Sequence, residues 1–384
     1  MNTIYLDNNA TSAIAPEVRE AMLPYLDNLY GNPSSMHSFG GQVAKAVDTA
    51  RERVAALLGA DPDEIVFTSC GSEGDNTAFW SALQTQPEKR HIITTRVEHA
   101  AILNTVQYWE RQGCRVTLLG VDGKGRLDLD EYAGALRDDT AIVSIMFANN
   151  EVGNIYPIAR MAEMARERGI LFHTDAVQAV GKVPIDLGKL PVDMLSLSGH
   201  KIHSPKGIGV LYVRRGVRFR PLLRGGHQEG GRRAGTENVP YIVGLGMAAK
   251  LAAEHLQEER TRVAALRDRL EKGLMERIPE STINGDVENR LPNTSNISFK
   301  NVEGEAILLM LDRLGICASS GSACTSGSLE PSHVLRAMGV PFNYAHGSIR
   351  LSLSRYTTEE EVDFVISAFP DVIKTLRAIS PFKD

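Results

Sequence analysis

Four cysteines in 384 residues are too few for a disulfide framework, and none stands in the C-x-x-C spacing of a zinc knuckle. Cys70, Cys114, Cys317 and Cys324 are expected to be reduced thiols, and no metal site is expected. The chain also lacks any apolar run near the roughly 20 residues of a membrane span. Its first residues, MNTIYLDNNATS, lack the basic stretch and apolar core of a secretory leader. A cytoplasmic protein with no membrane association is expected. An excess of positive charge is missing too: the formal net charge is -5, which argues against general affinity for nucleic acid. Seven arginines do fall between Arg214 and Arg233, a cluster suited to anionic ligands or subunit contacts.

What is present is a long chain, 43% hydrophobic, able to bury a large core. Short apolar runs (EIVFTS, HIITTR, RVTLLG, AIVSIMF, GILFHT, VDMLSLS and GIGVLYV) alternate with helical patterns through the first 250 or so residues. That alternation predicts an α/β fold whose mainly parallel sheet has crossover helices. Val43, Val47, Ala50, Val54, Leu57 and Leu58 recur at helical spacing, with Gly59 placed as a C-cap. Pro157 and Gly169 bracket a second helix. From Pro240 a long helical pattern continues through Val263, Leu266, Leu270 and Leu274, as one helix bridging two domains would. The rhythm then changes to a strand NISFK, a helix EGEAILLMLDRLG, a Ser/Gly-rich loop, a short helix, a strand SIRLSLS and a last helix. Thr358 and Glu361 form a capping box for that helix, and Pro370 is expected to kink it. The expected division is a large domain over residues 15–255 and a smaller α+β domain formed by residues 1–14 and 256–384.

The chemistry centres on Lys201, which ends the run VDMLSLSGHK and should project from a strand end into a cleft. Asp175 stands at the end of another strand, GILFHT, with Gln178 three residues on. A buried amine, a carboxylate and an amide at strand ends are what a pyridoxal phosphate site requires: the lysine forms the Schiff base, and the carboxylate keeps the pyridine nitrogen protonated. An acid directly after ILFH needs a partner to justify its burial.

Around this trio, IVFTSCGSEGDN runs from a strand through a turn into a helix. Its free N–H groups and the Ser72 hydroxyl suit a phosphate, although an ordinary capped turn reads the same way. Ser198 and His200 flank the lysine and could add phosphate contacts. His99 could stack on a flat cofactor and move protons; His173, His200 and His203 compete for that role on spacing alone. Asn150 in FANNEVG suits a phenolic oxygen or the substrate, or merely an Asx turn. Arg350 in GSIRLSLSR suits a bidentate grip on a carboxylate, or pairing with an acidic neighbour. Cys324, in ICASSGSACTSGSLEPS, occupies a small-residue loop from which a thiolate could reach a cleft. Cys317 has apolar neighbours and reads as structural.

Taken together, YLDNNAT, GNPSSMHSFG, EIVFTSCGSEGDN, VEHAAI, ANNEVG, HTDAVQ, SLSGHK, PKGIGVLYVRRG, GGHQEGGRRAGTEN, SSGSACTSGSLEPSHVLRAMG and SIRLSLSR resemble the NifS/IscS cysteine desulfurases. These are class V, fold type I pyridoxal phosphate enzymes, and the stretches around Cys324 and PLLRGGHQEGGRRAGTEN look most like the nitrogen-fixation NifS type. The resemblance implies a seven-stranded sheet. It also implies Lys201 as the Schiff-base lysine, His99 on the ring, Asp175 on the pyridine nitrogen, and Asn150 and Gln178 near the phenolic oxygen. Gly71, Ser72, Ser198, His200 and Thr236 of the partner subunit would meet the phosphate, so a homodimer is implied. Arg350, with Asn150, would bind the carboxylate of L-cysteine. Cys324 would carry a persulfide to an iron-sulfur scaffold protein, its loop contributing to cluster ligation. Ser72 stands where many relatives have threonine and keeps the hydroxyl. A selenocysteine lyase, an aminotransferase of the same fold and a non-catalytic partner-binding scaffold are the alternatives.

Overall fold

The computed structural model describes residues 3–320 and 331–380. Its strands, in chain order, are β1 (Ile4–Tyr5), β2 (Ile65–Thr68), β3 (His91–Thr95), β4 (Arg115–Leu119), β5 (Thr140–Ser144) and β6 (Leu171–Asp175), followed by β7 (Met194–Ser198), β8 (Gly209–Val213), β9 (Ser281–Ile283), β10 (Thr294–Phe299), β11 (Ile316–Cys317) and β12 (Ser348–Ser352). Seven of them form one sheet in the order β2-β8-β7-β6-β5-β3-β4. Every pairing in it is parallel except those of β8, which runs against both β7 and β2.

The apolar runs reflect burial of both sheet faces. Successive strand residues point to opposite sides, and here both sides are covered: Ile92, Ile142 and Met194 enter one core with Phe79, Ile102 and Trp109, while their neighbours Ile93, Val143 and Leu195 enter the other. That leaves no solvated face to show as polar alternation. Helix Ser38–Leu58 packs against helix Val239–Glu254 on the second side, and Gly59 ends the former at φ +63° as its C-cap. Pro157 directly precedes helix Ile158–Glu167, and Gly169 follows it at φ +63°.

A separate antiparallel sheet, β12-β10-β9, backs a second core in which Leu266, Leu270, Phe299, Leu351 and Phe369 are fully or almost fully buried. Ile4 and Leu6 join that core, and β1 pairs with β11. Helix Glu359–Ile379 opens on the Thr358/Glu361 capping box and continues past Pro370.

One expectation is corrected. The long pattern from Pro240 is not one helix, because helix Val239–Glu254 gives way to a short turn, then to a π-helical turn over Glu259–Val263, and only then to helix Ala264–Arg277. A π turn inserts an extra residue and rotates everything after it. Val243 and Leu251 before the turn face the first core, and Val263 at its end and Leu266 beyond it face the second. Among the described residues no helix is long and apolar enough to cross a membrane.

Candidate active site

A cavity of about 510 Å³ opens where the parallel strands end, between the large sheet and β12. That volume lies within the range of cofactor-sized sites, and strand ends of such sheets are where ligands enter. Ten of the residues expected from sequence line it: Gly71, Ser72, His99, Asn150, Asp175, Gln178, Ser198, His200, Lys201 and Arg350. Thr236 does not; it is exposed and away from the cavity of its own chain. Cys324 lies outside the described residues. Of its described flanks, Ser319 exchanges backbone hydrogen bonds with Arg350, and Pro331 lines the cavity.

Lys201 follows β7 in a tight turn, Gly199–Lys201. Its Nζ donates to the carbonyl oxygens of Asn9 and Ala10 at 2.5 and 2.7 Å. Burial, then the neighbouring Lys182 and Arg350 cations, push its pKa down to about 7, so much of it is free amine at neutral pH. Asp175 ends β6, where it is buried and accepts from the Val177 N–H at 2.9 Å. Burial raises its pKa, opposed by His99 and Lys201. His99 caps helix Ala100–Arg111 by accepting the Ala101 N–H at Nδ1, 3.1 Å away. In the neutral ring the proton therefore sits on Nε2; burial lowers the ring's pKa, opposed by Asp175.

The helix Gly71–Thr85 points its N-terminus at the same cavity, and its N-cap Cys70 makes no side-chain cap bond, which leaves the first N–H groups for a ligand. Gly71 has no room for more: a Cβ there would lie 2.7 Å from Val177 Cγ2. Ser198 and His200 stand at the end of β7; His200 contacts Thr11 Oγ1 at 3.1 Å, and burial pushes its pKa down to about 4. Arg350 enters from β12, buried, with Nη2 donating to Asp7 at 2.8 Å and Nη1 to the Asn150 carbonyl at 3.0 Å. Its Nε is buried without a partner.

These residues fit pyridoxal phosphate. The amide cradle at Gly71 and Ser72 suits a phosphate, the buried Asp175 carboxylate suits a cationic ring nitrogen, and the free Lys201 amine suits the aldehyde. Several cavity residues were not singled out in the sequence. Asn9 had a visible signal in LDNNAT, yet nothing local says that its carbonyl would meet Lys201. Glu151, Ser332 and His333 had none; the Glu151 carboxylate accepts from the Ser332 hydroxyl, and His333 Nε2 lies 2.9 Å from the Glu98 carbonyl oxygen. Cys70, left ambiguous by its sequence context, also lines the cavity. Cys317 is only half-buried and pairs in β11.

Comparison with known proteins places this arrangement among relatives. A family model described as Aminotransferase class-V matches residues 4–365. A cysteine desulfurase of Trichormus azollae is 64% identical over 384 residues, covering 100% of this chain and 96% of that one. The cysteine desulfurase NifS of Azotobacter vinelandii is 59% identical over 383 residues, covering 100% of this chain and 95% of that one. A solved structure described as a NifS-like protein superposes with a TM-score of 0.92 at 41% identity, covering 97% of this chain and 100% of that one.

Proposed function

The chain belongs to the class-V aminotransferase family, and from that premise we propose that it is a cysteine desulfurase, converting L-cysteine to L-alanine and carrying the released sulfur as a persulfide on Cys324. The observation that carries this reading is the convergence of the Lys201 amine, the Asp175 carboxylate and the Arg350 guanidinium on one cavity, from the turn after β7, the end of β6 and the middle of β12. The 64% identity to a cysteine desulfurase over the full chain supports the substrate.

Pyridoxal phosphate, when bound, supplies an electron-withdrawing ring that loosens the bonds at the amino acid α-carbon and through it the bond from β-carbon to sulfur. The chain's own residues do the rest. Gly71, Ser72, Ser198 and His200 would hold the phosphate, aided by Thr236 of the partner subunit in a homodimer. Asp175 would pair with the ring nitrogen, His99 would lie against the ring face, and Asn150 and Gln178 would reach the phenolic oxygen. Arg350 would grip the substrate carboxylate, with Asn150 beside it. Of its five N–H donors two are committed to Asp7 and Asn150, which leaves three, Nε among them, on a guanidinium already fixed in direction. Lys201, a free amine near neutral pH, would take the α-proton and return it.

The Cys324 thiolate then attacks the substrate sulfur. A sulfur–sulfur bond forms and the carbon–sulfur bond breaks; its electron pair stays on the β-carbon, which takes a proton and becomes the methyl group of alanine. The persulfide passes its outer sulfur to an iron-sulfur scaffold protein, with the Cys324 loop contributing to cluster ligation, in the cytoplasm where thiols stay reduced. Identity of 59% to the Azotobacter vinelandii NifS supports nitrogenase maturation as the destination. The residues divide into a cofactor domain over 15–255 and a smaller domain over 1–14 and 256–384. The test is to supply L-cysteine and a reductant to the parent and to Cys324→Ala, then quantify products. Equal amounts of alanine and sulfide from the parent, largely lost in the variant, are expected; full sulfide release from the variant would overturn the persulfide role.

A further inference from the structure

Lys201 also lines a second cavity, of about 20 Å³, enough for about one water. Lys201 and Lys182 both line it, as does Glu259. Lys182 and Glu259 are each only 6% exposed. Glu259 is the first residue of the π turn that redirects the chain between the two cores, and its Oε2 has no hydrogen-bond partner. A buried lysine and a buried carboxylate at one small void require each other, since either alone would carry a large desolvation cost.

A chain of hydrogen bonds links Lys182 to the site. Its Nζ donates to the Gln178 backbone carbonyl and to Gln178 Oε1, at 3.2 and 3.3 Å. Because an ammonium can only donate, that contact fixes the side-chain amide with its oxygen toward Lys182 and its nitrogen toward the site. Gln178 Nε2 accordingly donates to the Asn9 carbonyl oxygen at 2.9 Å, the same oxygen that receives Lys201 Nζ. We propose that Lys182 is a positioning residue for Lys201: its ammonium locks the Gln178 amide against Asn9, and its charge acts on Lys201 across the void that both residues line.

The charged groups around the pair allow this. Toward Lys201 stand Asp7, His99, Asp175, His200 and Arg350. Toward Lys182 stand Glu259 and Arg350, with Arg355 and His203 at the same void. After burial itself, Lys182 is the largest influence lowering the Lys201 pKa, ahead of Arg350; Asp175 and Asp7 pull the other way. Removing the Lys182 charge lets the Lys201 ammonium form more readily, so its midpoint moves up.

The inference rests on Lys201 as the reacting lysine, but its test uses no substrate, so failure of the desulfurase reading would not be mistaken for failure here. In cofactor-free full-length protein, the rate of acetylation at Lys201 is followed against pH by peptide mass spectrometry, for the parent, Lys182→Met and Lys182→Arg. Lys182→Met is expected to raise the midpoint by about one pH unit, leaving about tenfold less free amine at fixed pH below it. Lys182→Arg, which keeps the charge, is expected to restore the parent midpoint. Should Lys182→Met fail to fold, the double variant with Glu259→Gln leaves no orphan carboxylate and is read the same way. A folded Lys182→Met, or double variant, whose Lys201 midpoint matches the parent overturns the proposal.

Discussion

Replacing Arg350 by lysine isolates the geometry of its guanidinium from its charge. The side chain is only 5% exposed, and two of its donors are spent on Asp7 at 2.8 Å and on the Asn150 carbonyl at 3.0 Å. A lysine has three donors on one nitrogen; satisfying the same two acceptors leaves at most one for a substrate carboxylate. The variant therefore loses one charge-assisted hydrogen bond to substrate, about 1.5–3 kcal/mol, or roughly 10- to 150-fold in kcat/KM. Because the carboxylate is gripped alike before and during reaction, the loss should appear as a raised KM with kcat largely kept. The assay is sulfide and alanine formation against L-cysteine concentration, with the visible cofactor absorbance as a control, since Arg350 meets no cofactor atom in the proposed arrangement. A kcat/KM within about threefold of the parent, or a fall in kcat at unchanged KM, would refute the assignment.

Gly71→Ala places a Cβ 2.7 Å from Val177 Cγ2 and must displace the helix start or Val177; cofactor affinity, measured by absorbance titration of the cofactor-free protein, should fall at least about tenfold on the loss of one charge-assisted contact. The rate of cofactor uptake should decline below the Lys201 pKa of about 7, because protonation removes the nucleophilic amine, by about tenfold per pH unit well below it; a rate independent of pH between 5 and 8 (roughly the window on either side of that pKa) would show that another group limits capture. Arg51→Met strips the buried Glu229 carboxylate of its bidentate partner, bonded at 2.7 and 2.8 Å, and should cost about 3–5 kcal/mol in urea unfolding. A loss under about 1 kcal/mol would mean that Glu229 finds compensation, for instance from the Phe67 N–H it already accepts.

What could be read from sequence was governed by how local each cause is. The strand runs were legible because both faces of the sheet are buried, so each strand is apolar without interruption; Ile92 and Ile93 serve opposite cores yet look alike in a sequence. Asp175, which ends β6, and Lys201, three residues past the end of β7, stood out for the same reason, as polar groups stranded beside apolar runs. The π turn at Glu259 was not legible, because a one-residue slip preserves helical spacing on each side and shows only as a rotation between them. Nor was the contact from Asn9 to Lys201, which spans 192 positions and uses a backbone carbonyl that every residue type possesses.

That same slip connects architecture to chemistry. The first residue of the π turn, Glu259, lines the void it shares with Lys182, while Val263 at its end and Leu266, Leu270 and Leu274 beyond it pack in the second core beside Ile349 and Leu351 of β12. One turn thus joins two places: the core that β12 shares, from which Arg350 reaches the cavity, and the void where the Glu259 carboxylate faces Lys182. A change that restored regular helix through residues 259–263, such as deleting a single residue there, should therefore disturb both ends of the site together. Substrate affinity through Arg350 and the Lys201 labelling midpoint through Lys182 would both shift. A deletion that moved one and spared the other would separate the two effects and break the argument that a common register sets them.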